Sequence, residues 1–299
     1  MLQLRDVRAD PDRTTAAVSR MAARRVATRF VDPNDARTQA EEVVERKADI
    51  SSWVDVVDGD DVVGGLWLGS EAEELVVYDV TLERTTDAPE LLSALIERAR
   101  GQGARMVGIG VAPDDSVQQT IGSLPGLRVR ATNMVLPLDR PIADPSPLVL
   151  HPMTAEEFDV WSDGEVEGYA QELASTGLSP EQALERSRTQ MGELIPAGLE
   201  SPGMEFLVAR VGNQVVGDLW LSTDEAMAFV YNIEVRSDQR RRGYGAAIMN
   251  AAAVHCRDAG HPYLGLNVFA HNPNARALYD KLGYRVTLDY RALDIPDAD

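Results

Sequence analysis

The sequence predicts an α/β protein made of two tandem copies of one fold, each a mostly antiparallel mixed sheet flanked by helices. Three observations support this prediction: an internal repeat, the same order of strand-like and helix-like segments in each half, and a proline-rich connector between the halves. The repeat is the strongest of them. Residues 62–68 (VVGGLWL) reappear as residues 215–221 (VVGDLWL), 153 positions later.

The repeat continues along both halves. The same shift of 153 positions places residues 77–80 (VYDV) on residues 230–233 (VYNI). Near the end of each half, residues 126–129 (GLRV) match residues 283–286 (GYRV) at a shift of 157 positions. Similarity in the same order over most of each half predicts a tandem duplication.

The connector between the two copies is rich in proline. Proline lacks a backbone donor and restricts the residue before it, so this segment should be extended. Its prolines are Pro137, Pro141, Pro145, Pro147 and Pro152. We therefore predict a boundary within 140–150, with one domain at 1–143 and a second at 144–299.

Each half begins with helical segments and a hairpin. The hairpin prediction depends on β-branched runs that flank Asp58-Gly59 in the first half and Gly212-Asn213 in the second, which are pairs typical of tight turns. In the first half the predicted segments are two helices and two strands, at 11–28, 34–48, 52–58 and 61–69.

The rest of each half has the order β-α-β-α-β. The helix in the first half is predicted because Leu91, Leu92, Leu95 and Ile96 fall on one helical face. The predicted segments there are a strand at 75–83, the helix at 88–101, a strand at 105–112, a short helix at 116–122 and a strand at 127–137.

Length, composition and charge limit the classes of function. The chain has 299 residues, 44% of them hydrophobic, which is enough for two domains with real cores. Its formal charge of −19 repels nucleic acid and anionic membranes, so we expect neither as a partner. The acidity either aids solubility alone or draws a cationic amine to the protein.

The sequence also predicts where the protein resides. No run approaches the roughly 18 consecutive apolar residues that cross a bilayer. The first residues lack the apolar core of a secretory signal, and the single cysteine, Cys256, excludes an internal disulfide. We expect a cytoplasmic protein, a monomer or homodimer, with no metal site.

The most informative motif is a glycine-rich turn between a strand-like run at 228–235 and a helix-like run at 246–259. Glycine lets a ligand approach the backbone closely, and the free N–H groups of a first helical turn attract anions. The turn is Arg240-Arg241-Arg242-Gly243-Tyr244-Gly245, here called the arginine–glycine turn. It predicts a phosphate-binding site.

A second motif follows about thirty residues later, in which Asn272, Ala275, Leu278 and Tyr279 have the spacing Asn-x-x-Ala-x-x-Leu-Tyr. An Arg-x-x-Gly-x-Gly turn followed by this motif closely resembles the GNAT superfamily of acyl-CoA-dependent N-acyltransferases. The predicted order of helices, hairpin and β-α-β-α-β segments agrees with the GNAT fold. The resemblance implies two tandem GNAT domains.

The resemblance also implies acetyl-CoA as the cofactor. It assigns the pyrophosphate to the arginine–glycine turn, and the pantetheine arm to the strand before the turn, at residues 233–235, and to Asn272. Asn272 also suits a helix N-cap before Pro273, and the two roles are compatible. The predicted cofactor-binding residues are Ile233, Val235, Arg240, Arg241, Arg242, Gly243, Tyr244, Gly245, Ala246 and Asn272.

Two residues are predicted to take part in catalysis. The family motif makes Tyr279 the general acid that meets the departing thiolate, and the alternative is an ordinary core tyrosine. Many GNAT enzymes place a glutamate near the start of the fourth strand, where this chain has Phe229. Glu234, later on the strand, is the predicted base, and the alternative is an ion pair with a nearby arginine. His271 is a second candidate for the base.

The acceptor is predicted to be a small primary amine. An acidic and aromatic stretch with Tyr169 and Glu172 precedes a helix at 179–193, and these two residues share a helix face. Such a wall suits a cationic amine through charge and cation–π contact, although a solvated acidic helix has the same pattern. With His271, these residues form the predicted substrate-binding set.

The first half lacks the chemistry of the second. At a shift of 153 positions Gly243 corresponds to Glu90, and at a shift of 157 positions Tyr279 corresponds to Gly122. Asp87 and Glu90 would repel a pyrophosphate, so we predict that the first half is a degenerate copy.

Three functions are consistent with these motifs. The first is transfer of an acetyl group from acetyl-CoA to a small amine by direct attack in a ternary complex. The second is acetylation of a thiol precursor, as in the mycothiol synthases, which also pair two such domains. The third is a non-catalytic sensor of acyl-CoA.

Overall fold

The computed structural model describes residues 2–71, 73–175 and 179–296. The chain divides into two compact units, Met1–Val135 with Asn267–Asp299, and Leu136–Leu266. The strands are β1 (Leu2–Val7), β2 (Ser51–Asp58), β3 (Asp61–Glu71), β4 (Glu74–Leu82), β5 (Met106–Val111), β6 (Arg128–Pro137), β7 (Leu148–Pro152), β8 (Met204–Val211), β9 (Gln214–Ser222), β10 (Met227–Val235), β11 (Tyr263–Phe269) and β12 (Arg285–Asp294). The helices are α1 (Pro11–Arg29), α2 (Pro33–Arg46), α3 (Ala88–Gly101), α4 (Ser116–Gly122), α5 (Ala155–Ser175), α6 (Pro180–Leu194), α7 (Tyr244–Asp258) and α8 (Pro273–Leu282).

The first unit contains a mixed sheet in the order β1-β2-β3-β4-β5-β12-β6. Its pairs are antiparallel except for β4 and β5, which run parallel with residues 74–77 opposite residues 106–109. A buried cluster from β2 to β5 and α3 forms the core, with Leu66, Leu91 and Ile109 among its members. The α/β fold with a mostly antiparallel sheet is therefore confirmed for this unit.

The second unit contains a sheet in the order β11-β10-β9-β8-β7. Here β10 and β11 are the parallel pair, with residues 227–230 opposite residues 263–266. The register of β10 against β9 shifts between Val230 and Asn232, which leaves Tyr231 as a bulge. The shift in β4 places a bulge at Tyr78, which is the repeat counterpart of Tyr231. Each half therefore has the same short parallel pair and the same bulge.

The pairing of β6 with β12 shows the duplication in the register itself. Arg285 pairs with Val135, and Ala292 pairs with Arg128. When each residue is replaced by its counterpart in the other copy, 157 positions away, one of these pairs becomes the other. The ladder therefore has an internal two-fold symmetry. Its centre is the pair of Thr132 and Asp289, whose side chains share a 2.8 Å hydrogen bond from Oγ1 to Oδ1. Such self-complementary pairing is the geometry of a two-fold interface.

Two edge strands, β1 and β7, were not among the predicted elements. In β1 only Leu2 is buried, and β7 is a five-residue strand that ends at Pro152. Each of these strands buries only one residue, which leaves little apolar pattern to recognise, and proline is tolerated at sheet edges.

The compact units and the sequence repeat divide the chain differently. The segment 267–299 belongs to the repeat's second copy but packs in the first unit, because β12 lies between β5 and β6. The division at 143 and 144 describes the repeat and stays a prediction. Within the described ranges, none of the helices is both long and apolar enough to cross a membrane.

Candidate functional site

The arginine–glycine turn links β10 to α7 and has an unusual backbone. Arg241 has φ 66° and Gly243 has φ 86°, both in the left-handed region. A left-handed residue in a turn makes neighbouring N–H groups converge into an anion-binding concavity. An added Cβ at Gly243 would meet no atom within 4 Å, so the conformation, and not crowding, requires glycine there.

Gly243 is also the N-cap of α7, and it has no side chain to satisfy the first N–H groups of that helix. The exposed turn therefore offers backbone donors and a helix dipole to an anion. These features fit a pyrophosphate group.

The arginines of the turn have different neighbours. The Arg242 Nη1 donates to Oε1 of the buried Gln239 at 3.2 Å. The Arg240 side chain donates to the Val235 carbonyl oxygen and to Glu234 Oε1, each at 3.1 Å. Arg240 therefore ties the turn to the end of β10.

Glu234 forms an ion pair, which the sequence left open as the alternative to a role as catalytic base. Its carboxylate lies 3.1 Å from Arg240 Nη2, and its side chain is 48% exposed. The role of Glu234 as a base stays a prediction.

A carboxylate that the sequence analysis did not single out lies beside Glu234. Asp218 on β9 pairs in register with Glu234, is 3% exposed, and accepts a 3.0 Å hydrogen bond from Arg236 Nη2. Burial raises the pKa of Asp218, and the nearby Arg236 offsets only part of that effect. The available signal was the repeat itself, in which Gly65 stands at the position of Asp218.

The second motif begins the helix α8 in the first unit. The Asn272 Oδ1 accepts from the Ala275 N–H at 3.1 Å, so Asn272 is an N-cap. The exposed His271 stacks on Phe269, with ring centroids 5.5 Å apart. The cap orients Asn272 at the start of the helix.

Tyr279 is a buried residue of α8. It is 6% exposed, and its ring lies 5.7 Å from that of Tyr284. Burial raises the pKa of Tyr279, because the phenolate is poorly solvated there. The phenol therefore stays protonated at neutral pH and keeps a proton to donate.

An aromatic cluster lies between α5 and the sheet of the second unit. Trp220 stacks on the exposed Tyr231 at 4.7 Å and meets Trp161 edge-on at 5.5 Å. Next to Tyr231, the side chain of Asn232 donates to Glu165 of α5. Aromatic faces beside carboxylates are suited to cations.

Two predicted acceptor residues lie on α5. Tyr169 is partly exposed. The side chain of Glu172 lies outside the described part of the structure.

In the first half, the segment that corresponds to the arginine–glycine turn contains acidic side chains. The Glu90 carboxylate accepts from the Leu2 N–H at 3.1 Å, and the Asp87 carboxylate accepts from Arg84 Nε at 2.9 Å. Carboxylates at the start of α3 repel a phosphate. This geometry agrees with the prediction of a degenerate copy.

The first unit nevertheless holds cavities of about 630 and 440 Å³, and Arg20 lines both of them. Arg20 and Arg24 both bind the buried Asp79, and Arg13 binds the buried Asp55 at 2.6 Å. Each of these arginines thus has a carboxylate partner within the protein. The described residues contain no cluster of three or more His, Cys, Asp or Glu side chains that could hold a metal ion.

The structure distributes the predicted site residues over both compact units. The second unit contains Tyr169 and the stretch from β10 to the start of α7, which includes Ile233, Glu234, Val235 and residues 240–246. The first unit contains His271, Asn272 and Tyr279.

Comparison with known proteins gives consistent results. The acetyltransferase (GNAT) family matches residues 167–284. The uncharacterized N-acetyltransferase YycN of Bacillus subtilis (strain 168) is 32% identical over 146 residues, which are 47% of this chain and 94% of YycN. A mycothiol acetyltransferase of Clavibacter sepedonicus is 26% identical over 236 residues, which are 75% of this chain and 73% of that protein.

Among solved structures, a tandem GNAT protein from the clavulanic acid biosynthesis pathway aligns with a TM-score of 0.50. The alignment covers 100% of both chains at 18% identity. At this identity the likeness is one of fold, and it extends over both halves.

Proposed function

This chain belongs to the GNAT family of acetyltransferases, and we propose that it moves an acetyl group from acetyl-CoA to the primary amine of a small molecule by direct attack in a ternary complex. The observation that supports this most is the arginine–glycine turn, whose left-handed Arg241 and Gly243 open onto α7. The copy of this turn in the first half contains Asp87 and Glu90 instead.

The cofactor supplies an activated acetyl thioester. The N–H groups of residues 241–246, with Arg242 beside them, would hold its pyrophosphate. The backbone of Ile233 and Val235 and the amide of Asn272 would bind its pantetheine arm, as the family resemblance implies. Arg240 would be a second charge partner of the pyrophosphate, and it is also paired with Glu234.

Tyr279 would protonate the sulfur that leaves. A thiol has an ordinary pKa near 8.5, so a donor that is still protonated at neutral pH assists its departure. An ordinary tyrosine, with a pKa near 10, already meets this requirement, and burial raises the pKa of Tyr279 further.

The amine must lose a proton before it attacks, and two carboxylates compete for that role. We predict that Asp218→Asn lowers kcat by about 10²-fold or more, because a buried carboxylate of raised pKa is the better base. Glu234→Gln serves as the matched variant, because Glu234 on β10 pairs in register with Asp218. Steady-state kinetics across pH separates them: a larger loss in Glu234→Gln assigns the base to Glu234 instead.

The substrate is expected to be cationic. The aromatic pair of Trp220 and Tyr231 lies beside Glu165 and Asn232, and the chain carries a charge of −19. Both features favour an ammonium over a carboxylate.

The direct test is a panel of small amines incubated with acetyl-CoA, with release of free CoA measured by a thiol reagent. We expect turnover with at least one cationic amine. Tight binding of acetyl-CoA without turnover on any amine would instead favour the sensor.

A second candidate function follows from the relative in Clavibacter sepedonicus, which is similar over 75% of this chain and so extends into both halves. A thiol precursor is therefore included in the panel, and its acetylation is followed by loss of the acetyl-CoA thioester, because its own thiol would react with the thiol reagent. Turnover of the precursor at a higher kcat/KM than of other amines would assign the chain to that activity.

A further inference from the structure

The first half packs closely against the segment that carries the second motif. The Asn267 Nδ2 donates to Asn133 Oδ1 of β6 at 2.7 Å. The Ala270 N–H donates to the Arg130 carbonyl oxygen of the same strand at 2.8 Å. Two hydrogen bonds accepted by β6 thus hold the chain just before His271 and Asn272.

A third contact from β6 reaches α8 itself. The Arg276 Nη1 donates to Thr132 Oγ1 at 3.3 Å, and the Arg276 Nε bonds Asp280 at 3.2 Å. Arg276 lies between Asn272 and Tyr279 on the helix, so Thr132 restrains the helix between the two motif residues. Thr132 is buried, and its hydroxyl in turn donates to Asp289 at 2.8 Å.

The strand that follows α8 is held by the first half as well. β12 lies between β5 and β6, and Tyr290 on β12 donates to Glu74 at the start of β4. The first half therefore fixes the chain before α8, within it and after it.

We propose that the first half, although degenerate in chemistry, positions Asn272 and Tyr279 for the reaction, with Thr132 and Asn133 of β6 as positioning residues. The proposal rests on the proposed function for the roles of Asn272 and Tyr279. It gives the first copy a function: it supplies the framework on which the motif of the second copy is held.

The competing explanation is that these contacts only stabilise the sheet. The repeat offers a matched control, because Tyr290 is the counterpart of Asn133 at a shift of 157 positions. The hydrogen bond from Tyr290 to Glu74 also links β12 to the first half. That bond is at the start of β4 and involves none of residues 267–276. Loss of that bond should weaken the fold without moving α8.

The experiment compares full-length variants by hydrogen–deuterium exchange, thermal unfolding and calorimetric binding of acetyl-CoA. Asn133→Ala and Thr132→Val should each speed exchange in residues 270–280 and weaken acetyl-CoA binding by about five- to tenfold, the scale of one lost hydrogen bond. Asn133→Asp keeps an acceptor for Asn267 and should behave like the unsubstituted protein. Tyr290→Phe should lower the Tm and leave both readouts unchanged.

Unchanged exchange at 270–280 in Asn133→Ala and Thr132→Val overturns the proposal. So does an equal effect of Tyr290→Phe on exchange there and on acetyl-CoA binding. If the unsubstituted protein does not bind acetyl-CoA, the proposed function fails, and the exchange data still decide whether β6 holds α8.

Discussion

Charge reversal in the arginine–glycine turn, Arg242→Glu with Gly243→Glu, is expected to abolish acetyl-CoA binding without unfolding the protein. Two carboxylates would face a pyrophosphate at the start of α7, and like charges in contact weaken binding by several kcal/mol, or more than about 100-fold. The fold should tolerate the change, because position 243 is exposed and an added Cβ meets no atom within 4 Å. A glutamate at φ 86° adds a strain of about 1–3 kcal/mol.

Calorimetric titration of acetyl-CoA measures this effect, and thermal unfolding checks the fold. Arg257→Glu is the matched control, because it reverses a charge near the other end of α7, where Arg257 pairs with Asp258. Its affinity should equal that of the unsubstituted protein. Retained affinity in the Arg242→Glu, Gly243→Glu variant would mean that the cofactor binds elsewhere.

Replacement of Tyr279 by phenylalanine is expected to lower kcat by about 10²- to 10³-fold while leaving the affinity for acetyl-CoA unchanged. We propose the hydroxyl as the proton donor, and phenylalanine preserves the packing of the ring in its buried position. Single-turnover kinetics together with calorimetry separate the two effects.

The pH dependence of Tyr279 has a definite sign. A general acid must be protonated, so the rate falls as pH rises through its pKa, and burial places that pKa above the ordinary value of about 10. An alkaline loss of activity due to Tyr279 should therefore disappear in Tyr279→Phe. Tyr284→Phe, which alters a buried tyrosine packed against it, is the control and should keep both kcat and its pH profile. Equal losses in the two variants would assign Tyr279 a packing role.

The sequence was sufficient for the parts of the fold that depend on local pattern. The hairpins at Asp58-Gly59 and Gly212-Asn213 form as predicted, since their turns are encoded by adjacent residues. The predicted helix at 246–259 is observed as Tyr244–Asp258. The duplication was also readable, because residues 62–68 and 215–221 keep the same order of apolar and glycine positions.

Two features could not be predicted, because they depend on residues far apart in the chain. The placement of β12 between β5 and β6 depends on pairing across more than 150 positions, as between Asp289 and Thr132. The burial of Asp218 depends on its neighbours in a sheet, which one strand's sequence does not specify. Glu234, the base predicted from the sequence, is half-exposed and paired with Arg240.

We propose that this tandem chain has one cofactor site, at the arginine–glycine turn of its second half. Calorimetric titration of acetyl-CoA into the unsubstituted protein tests it most directly, since the stoichiometry counts the sites. We expect one acetyl-CoA per chain. Two per chain would contradict the degeneracy of the first half, and no binding would contradict the proposed function.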